Sequence, residues 1–283
     1  MYGVVTRTDS VLDWPEFDRG FYEVKSVSGR ERAPVANAVN MIACFADNAT
    51  ASDRPDLVPV SDEADPATAD RPYFDWSYIC PTHRSYRSGL LEIIAGAGSE
   101  GSGAVRLDEI GFPRAEYCHC DACVDRYAAS SEADRRAWRV GVITEFVEAA
   151  AERVPGDLYL TVYPDPYPGH LTRRTGVDLS ILQRHADEIV VPLYDQTYST
   201  TYWIESIVTA FRDRVDCRLG VEIYAAEAEF DRMLQAARVA DATADAVYFG
   251  YDAGQARAAI RRIRAAARPG RRHGAADVAG DES

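Results

Sequence analysis

The chain has 283 residues, 47% of them hydrophobic and 27% charged. That is the composition of a folded globular protein at about twice a common domain length of roughly 150 residues, so it admits two ordinary domains or one large α/β barrel and excludes a disordered or collagen-like chain. Forty-five acids against thirty-one bases give a formal charge of −14, which repels phosphate backbones and anionic headgroups, so neither nucleic acid nor a membrane is the expected partner.

Met1 to Ser10 lacks the basic start and apolar run of a secretory signal, and no stretch reaches the roughly 18 apolar residues of a membrane span; the expected location is the cytoplasm. Either Tyr2 to Arg7 or Gly20 to Lys25 supplies one strand, and Asn40 to Phe45 supplies another. Ala46 to Arg71 is polar and rich in Asp, Ala and Pro, and reads as a long loop over one mouth of the fold. From Phe74 onward short β-rich runs recur: Phe74 to Ile79, Ala104 to Glu109, Leu158 to Tyr163, Glu188 to Tyr194, Arg218 to Tyr224 and Ala246 to Tyr251. Between several of them the apolar residues take helical spacing, as in Trp138, Val142 and Phe146, or Ile204 and Val208 with Ile207 and Phe211 beside them. Alternation of this kind implies βα units on a parallel sheet. Eight strands predict a (β/α)₈ barrel over residues 1–268, irregular in its N-terminal strands, in preference to an open doubly wound sheet with the same local pattern. Residues 269–283 read as a frayed tail.

The strand ends carry polar and aromatic side chains: Asp108 and Glu109, Tyr163 and Asp165, Tyr194 and Asp195, Glu222 and Tyr224, Tyr251 and Asp252. In a barrel these ends converge on one mouth, where ligands bind. Hydrolysis of a glycosidic bond needs two carboxyl groups flanking that bond, and the apolar C–H faces of a sugar pack on Tyr while its hydroxyls reach carboxylates. The substrate-binding candidates are Arg106, Tyr163, Asp165, Tyr194, Asp195, Tyr224 and Asp252, and the expected ligand is a carbohydrate or another small molecule. Turn-forming Asp and half-buried Tyr also end strands without any function. Glu222 and Asp108 also fit as buried partners of Arg106 or of another arginine in a purely structural ion-pair network, and Arg106 points to the same side as Asp108.

Six cysteines in a long chain without a secretory signal read as thiols or metal ligands. Cys118-His119-Cys120-Asp121-Ala122-Cys123 is a C-x-C-x-x-C run, and Cys80 closes the Phe74 to Ile79 run. Thiolates of Cys80, Cys118, Cys120 and Cys123, brought together from adjacent loops, match the tetrahedral sulfur shell of Zn²⁺; four protein ligands leave no open position, so such an ion is structural. Partly buried free thiols are the plain alternative. His119 reads as a spacer, and Cys44 and Cys217 as core thiols.

One cysteine after the third strand, followed by C-x-C-x-x-C after the fourth, is similar to the zinc cluster of family 42 β-galactosidases in the clan A glycoside hydrolase barrels. Ile79-Cys80-Pro81 with Leu107-Asp108-Glu109-Ile110-Gly111-Phe112-Pro113 also resembles a broader group of glycosidase-like barrels with an aspartate on the fourth strand. The likeness covers Ile79 to Cys123 best, then the strand order through Tyr251. It implies that Glu109 is the acid/base and Glu222 the nucleophile. Asp108 departs from the clan's Asn before the acid/base, which leaves open an arrangement in which Asp108 is the principal carboxylate and Glu109 faces outward. The composition, with Lys25 the only lysine, resembles that of proteins from salt-accumulating halophiles. Two further readings stay open: a non-catalytic barrel that binds a carbohydrate or partner at the same face, and a methyl-transfer barrel whose thiolate-bound zinc keeps an open position.

Overall fold

The computed structural model describes residues 1–132, 134–194 and 201–267. Eight parallel strands pair in chain order, and the last closes on the first: β1 (Tyr2–Thr6), β2 (Arg19–Lys25), β3 (Val39–Ala43), β4 (Val105–Asp108), β5 (Leu158–Thr161), β6 (Glu188–Leu193), β7 (Arg218–Tyr224) and β8 (Ala246–Gly250). This is a closed (β/α)₈ barrel. Both N-terminal candidates are strands, whereas the expected strand at Phe74 to Ile79 is not one. Its apolar residues Phe74 and Ile79 are buried, but its hydrogen bonds go to the preceding loop, through Tyr78 opposite Ala46 and Ile79 N–H to the Phe45 carbonyl. Burial beneath a loop produces the same apolar alternation as a sheet. The strand count came to eight because one false strand replaced one of the first two.

The irregularity lies at the start of the barrel. Only a 3₁₀ turn (Asp9–Val11) lies between β1 and β2, and no helix lies between β2 and β3. Later connections carry helices: α1 (Asn48–Asp53) and α2 (Arg84–Gly98) after β3, α3 (Asp121–Ala128) and α4 (Arg135–Ala151) after β4, α5 (His170–Thr175) and α6 (Leu179–Leu182) after β5, α7 (Thr201–Arg212) after β6, α8 (Phe230–Asp241) after β7, and α9 (Ala253–Ala267) after β8. The polar stretch from Ala46 to Arg71 contains α1 and a second 3₁₀ turn (Pro55–Leu57). The periodic stripes pack as their spacing requires, with Trp138, Val142 and Phe146 of α4 and Ile204, Ile207, Val208 and Phe211 of α7 all buried. Among the described residues no helix is long and apolar enough to cross a membrane. The expected tail at 269–283 lies outside the described residues.

The barrel interior has its own apolar layer. Phe21, Tyr159 and Tyr248 meet edge to face at 5.3 and 4.7 Å, and the Arg106 guanidinium lies 5.0 Å from the centre of the Phe21 ring. This layer closes the floor beneath the C-terminal mouth, so polar groups above it are held in a low-dielectric setting.

Candidate active site and cysteine cluster

Asp108 ends β4 opposite Ala43 of β3, and Glu109 follows with φ of 50°. That left-handed backbone is unfavourable for a residue with a Cβ, and such residues gather at functional sites. Its consequence is geometric. Successive strand residues face opposite sides, but the turn at Glu109 breaks the alternation, and both carboxyl groups line one cavity of about 1020 Å³ at the barrel mouth. The Glu109 N–H donates to Asp108 Oδ1 at 3.1 Å, and the Tyr78 hydroxyl donates to Glu109 Oε2 at 3.4 Å. Burial, reinforced by the negative charge of Asp108, pushes the Glu109 carboxyl up to about 8, against the opposing effect of Tyr78 and Trp76. Glu109 is therefore protonated at neutral pH. Asp108 is also raised, by burial and by Glu222, although Arg106 opposes the rise.

Glu222, inward on β7, is wholly buried. Arg106 Nη2 donates to its Oε2 at 2.5 Å, the Tyr194 hydroxyl donates to its Oε1 at 2.5 Å, and Arg106 Nε donates to Thr161 Oγ1 at 2.8 Å. Gly250 of β8 makes room for this carboxylate, since a Cβ there would stand 2.8 Å from Glu222 Oε1. Of the two acids expected as buried partners of Arg106, Glu222 is the one it pairs with, across on β7. Neither Arg106 nor Glu222 lines the mouth cavity; together they form a charged layer behind Asp108.

Tyr163, Asp165, Tyr194 and Tyr224 line the cavity with Asp108 and Glu109. Asp165 Oδ2 lies 3.2 Å from His170 Nδ1. Asp252 is elsewhere: its Oδ1 accepts the Gln255 N–H at 2.9 Å in the first turn of α9. Asp195 lies outside the described residues. Sequence reasoning missed Glu23 on β2, whose carboxylate meets Arg7 Nε at 2.5 Å and the Tyr251 hydroxyl at 3.3 Å; Tyr251 itself has φ of 69°. The signal for Glu23 was an acid between the apolar side chains of Tyr22 and Val24 in β2. Also missed were Trp76 and Tyr78, hidden by the false strand, and Arg174 of α5.

The cysteine cluster forms between the β3–α2 connection, which carries Cys80, and the β4–α3 connection, which brings Cys118, Cys120 and Cys123. The four sulfurs all lie within 4.8 Å of one another, and none is in a disulfide. Cys80 Sγ is 3.2 Å from Cys123 Sγ and 3.7 Å from Cys120 Sγ, while a tetrahedral zinc–thiolate shell with bonds of about 2.3 Å has sulfur–sulfur edges of about 3.8 Å. The donor set thus fits a four-coordinate metal. His119 is tied through its backbone, donating to the Val60 carbonyl at 2.8 Å. Cys44 is fully buried in the apolar core as expected, whereas Cys217 is half-buried and packs against the core from outside.

The Cys80 loop also carries Tyr78, and the loop bearing the other three cysteines begins at Glu109. Arg139 of α4 fastens the second loop to α5, its guanidinium donating to the carbonyls of Arg114 and Ala115 on one side and of Arg173 and Arg174 on the other, at 2.7 to 3.2 Å. Phe112 N–H adds a bond to the Thr175 carbonyl at 2.9 Å.

No protein-family model matches the sequence, and no curated protein matches it. Solved structures do match the fold. The chain is similar to the glycoside hydrolase domain of PgaB (BpsB) from Bordetella bronchiseptica, at 12% identity and a TM-score of 0.56, over 76% of this chain and 70% of that one. It is likewise similar to α-L-fucosidase isoenzyme 2 from Paenibacillus thiaminolyticus, at 13% identity and a TM-score of 0.57, over 90% of this chain but 44% of that one, so it spans less than half of that fucosidase. At these identities the likeness is one of fold: a barrel of the kind on which those glycoside hydrolases are built.

Proposed function

We propose that the protein hydrolyses a glycosidic bond at the C-terminal mouth of the barrel, with Glu109 as proton donor and Asp108 as the partnering carboxylate. The observation that carries this reading is the pair itself: Asp108 and Glu109 line one cavity, and burial with the charge of Asp108 raises Glu109 to about 8, so that it retains its proton at neutrality. A general acid must be protonated when the leaving oxygen departs, and a carboxyl raised by burial and a neighbouring negative charge meets that condition near neutral pH. Asp108 then stabilises the positive charge that develops at the sugar carbon. Tyr163 and Tyr224 offer faces for the sugar ring.

In this reading Glu222 keeps the strand position that the clan gives its nucleophile, but it acts from behind. Both its oxygens are taken by Arg106 and Tyr194, and it holds the charge balance around Asp108. The four cysteines would hold a structural Zn²⁺, whose role is to join the two loops that present Tyr78 and Glu109; four sulfur ligands leave no open position for methyl-transfer chemistry.

The test is turnover on a panel of chromogenic glycosides. Glu109→Gln and Asp108→Asn should each lose about 10²- to 10⁴-fold while still folding cooperatively; full activity in both variants refutes the assignment. The buried Arg106–Glu222 pair favours one second reading, a carbohydrate-binding barrel without turnover. Sugar binding by the wild-type protein with no hydrolysis of any panel member would establish it.

A further inference from the structure

The mouth cavity is lined by three arginines, Arg7, Arg174 and Arg232. Arg7 is paired with Glu23, and Arg232 lies 3.7 Å from Glu229. Arg174 has no ion-pair partner among the described residues. Its guanidinium carbon lies over an aromatic ring instead, 4.1 Å from the centre of Tyr163, in a chain with an excess of acids. Its position is fixed from behind: its carbonyl accepts from Arg139 at 2.7 Å, and the same guanidinium grips the loop that runs on from Glu109. Its charge also acts on the Tyr78 hydroxyl, the group that donates to Glu109. Arg174 therefore stands on the Glu109 side of the cavity.

We infer that Arg174, backed by Tyr163, is a recognition site for the carboxylate of a uronic acid, so that the sugar whose bond is cleaved, or its immediate neighbour, is acidic. The inference rests on the glycosidase reading for cleavage, but not for binding. A planar guanidinium carries a fork of N–H donors that matches a carboxylate in two parallel hydrogen bonds, and the contact with Tyr163 limits where that fork can go. Five acids share the cavity with it, Glu23, Asp75, Asp108, Glu109 and Asp165, but among the described residues none forms an ion pair with Arg174; Glu23 is taken by Arg7, and Glu109 keeps its proton at neutral pH.

The experiment is calorimetric titration of the whole protein with the methyl glycosides of glucuronic and galacturonic acid, both anomers, against those of glucose and galactose and against methyl galactoside 6-sulfate. A uronide should bind more tightly than its neutral parent. Arg174→Gln should remove roughly 10- to 100-fold of that affinity, the value of a charged hydrogen bond, and Arg174→Lys, which keeps the charge without the fork, should recover only part. Equal binding of uronide and parent, or a preference that survives Arg174→Gln, overturns the inference, and a sulfate ester bound as well as the uronide overturns the choice of carboxylate. If the glutamine variant does not fold, the lysine variant and the wild-type preference decide. Arg174-dependent uronide binding without cleavage of any glycoside leaves the inference standing and removes the glycosidase reading. Cleavage of neutral glycosides with no uronide preference does the reverse.

Discussion

Arg106 Nη2 and Glu222 Oε2 meet at 2.5 Å across the barrel floor with both side chains fully shut off from solvent. Two buried opposite charges stabilise a fold little relative to an apolar pair, but removing one leaves the other uncompensated, at a cost of about 3–5 kcal/mol. Arg106→Met should therefore lower the unfolding free energy by about that much, measured by denaturant titration. The double variant Arg106→Met with Glu222→Gln should lose less than the sum of its singles. Strictly additive losses would mean that the two groups act independently.

The protonation of Glu109 sets a pH dependence of definite sign. Its carboxyl is raised from 4.5 to about 8, so the folded protein holds a proton that the unfolded chain has released between those values. The contribution to stability is complete below about 4.5 and is lost as pH rises through about 8. The rate on a glycoside should fall along the same alkaline limb, because the donor is lost. NMR titration of the Glu109 carboxyl should move to lower pH in Asp108→Asn, which removes the neighbouring negative charge. An unmoved titration would mean that burial alone raises it.

The cysteine cluster predicts about one zinc per chain, held by four sulfurs. Metal analysis of the purified protein measures this directly. Cys80→Ser should lower both metal content and Tm, and chelation should open the three remaining cluster thiols to a disulfide reagent. Full metal retention in Cys80→Ser would show that Cys80 is not a ligand.

Lys25, the only lysine, is buried with its Nζ 2.9 Å from Asp47 Oδ2, and it donates to the Ala43 carbonyl at 3.1 Å. Asp47 in turn accepts the Thr50 N–H at the start of α1. Burial pushes the Asp47 carboxyl up, but Lys25 and the Thr50 N–H together hold it below its ordinary value. Its stabilising effect is therefore present above about pH 4 and lost as the solution is acidified. Lys25→Met should cost about 3–5 kcal/mol and should flatten the acid side of the stability profile. An unaltered acid limb would show that Asp47 does not need the lysine.

Much of this molecule was legible in its residues, for identifiable reasons. From β4 onward helices separate the strands, so the period of the apolar residues switches where the elements switch, and every strand from Val105 to Gly250 was found. The first two strands are joined without helices, and there the pattern gave one strand for two while Phe74 to Ile79 imitated another. The cysteines were readable because their spacing is local and Cys80 falls in the neighbouring loop whether or not a strand precedes it. Side-chain partners were readable only as alternatives. Arg106 was readable as a partner of Asp108 or Glu222; it takes Glu222, 116 positions away, and no spacing rule reports which of two inward acids a guanidinium will reach across a barrel. The shared orientation of Asp108 and Glu109 depended on one left-handed residue, which a sequence pattern of alternating faces does not foresee.

The most direct test of Glu109 as proton donor is the dependence of Glu109→Gln on the leaving group. Loss of the donor should cost about 10²- to 10⁴-fold on a glycoside with a poorly departing alcohol, and far less on the 2,4-dinitrophenyl glycoside of the same sugar, whose phenolate leaves without a proton. Equal losses on the two substrates, or none on either, would contradict the account.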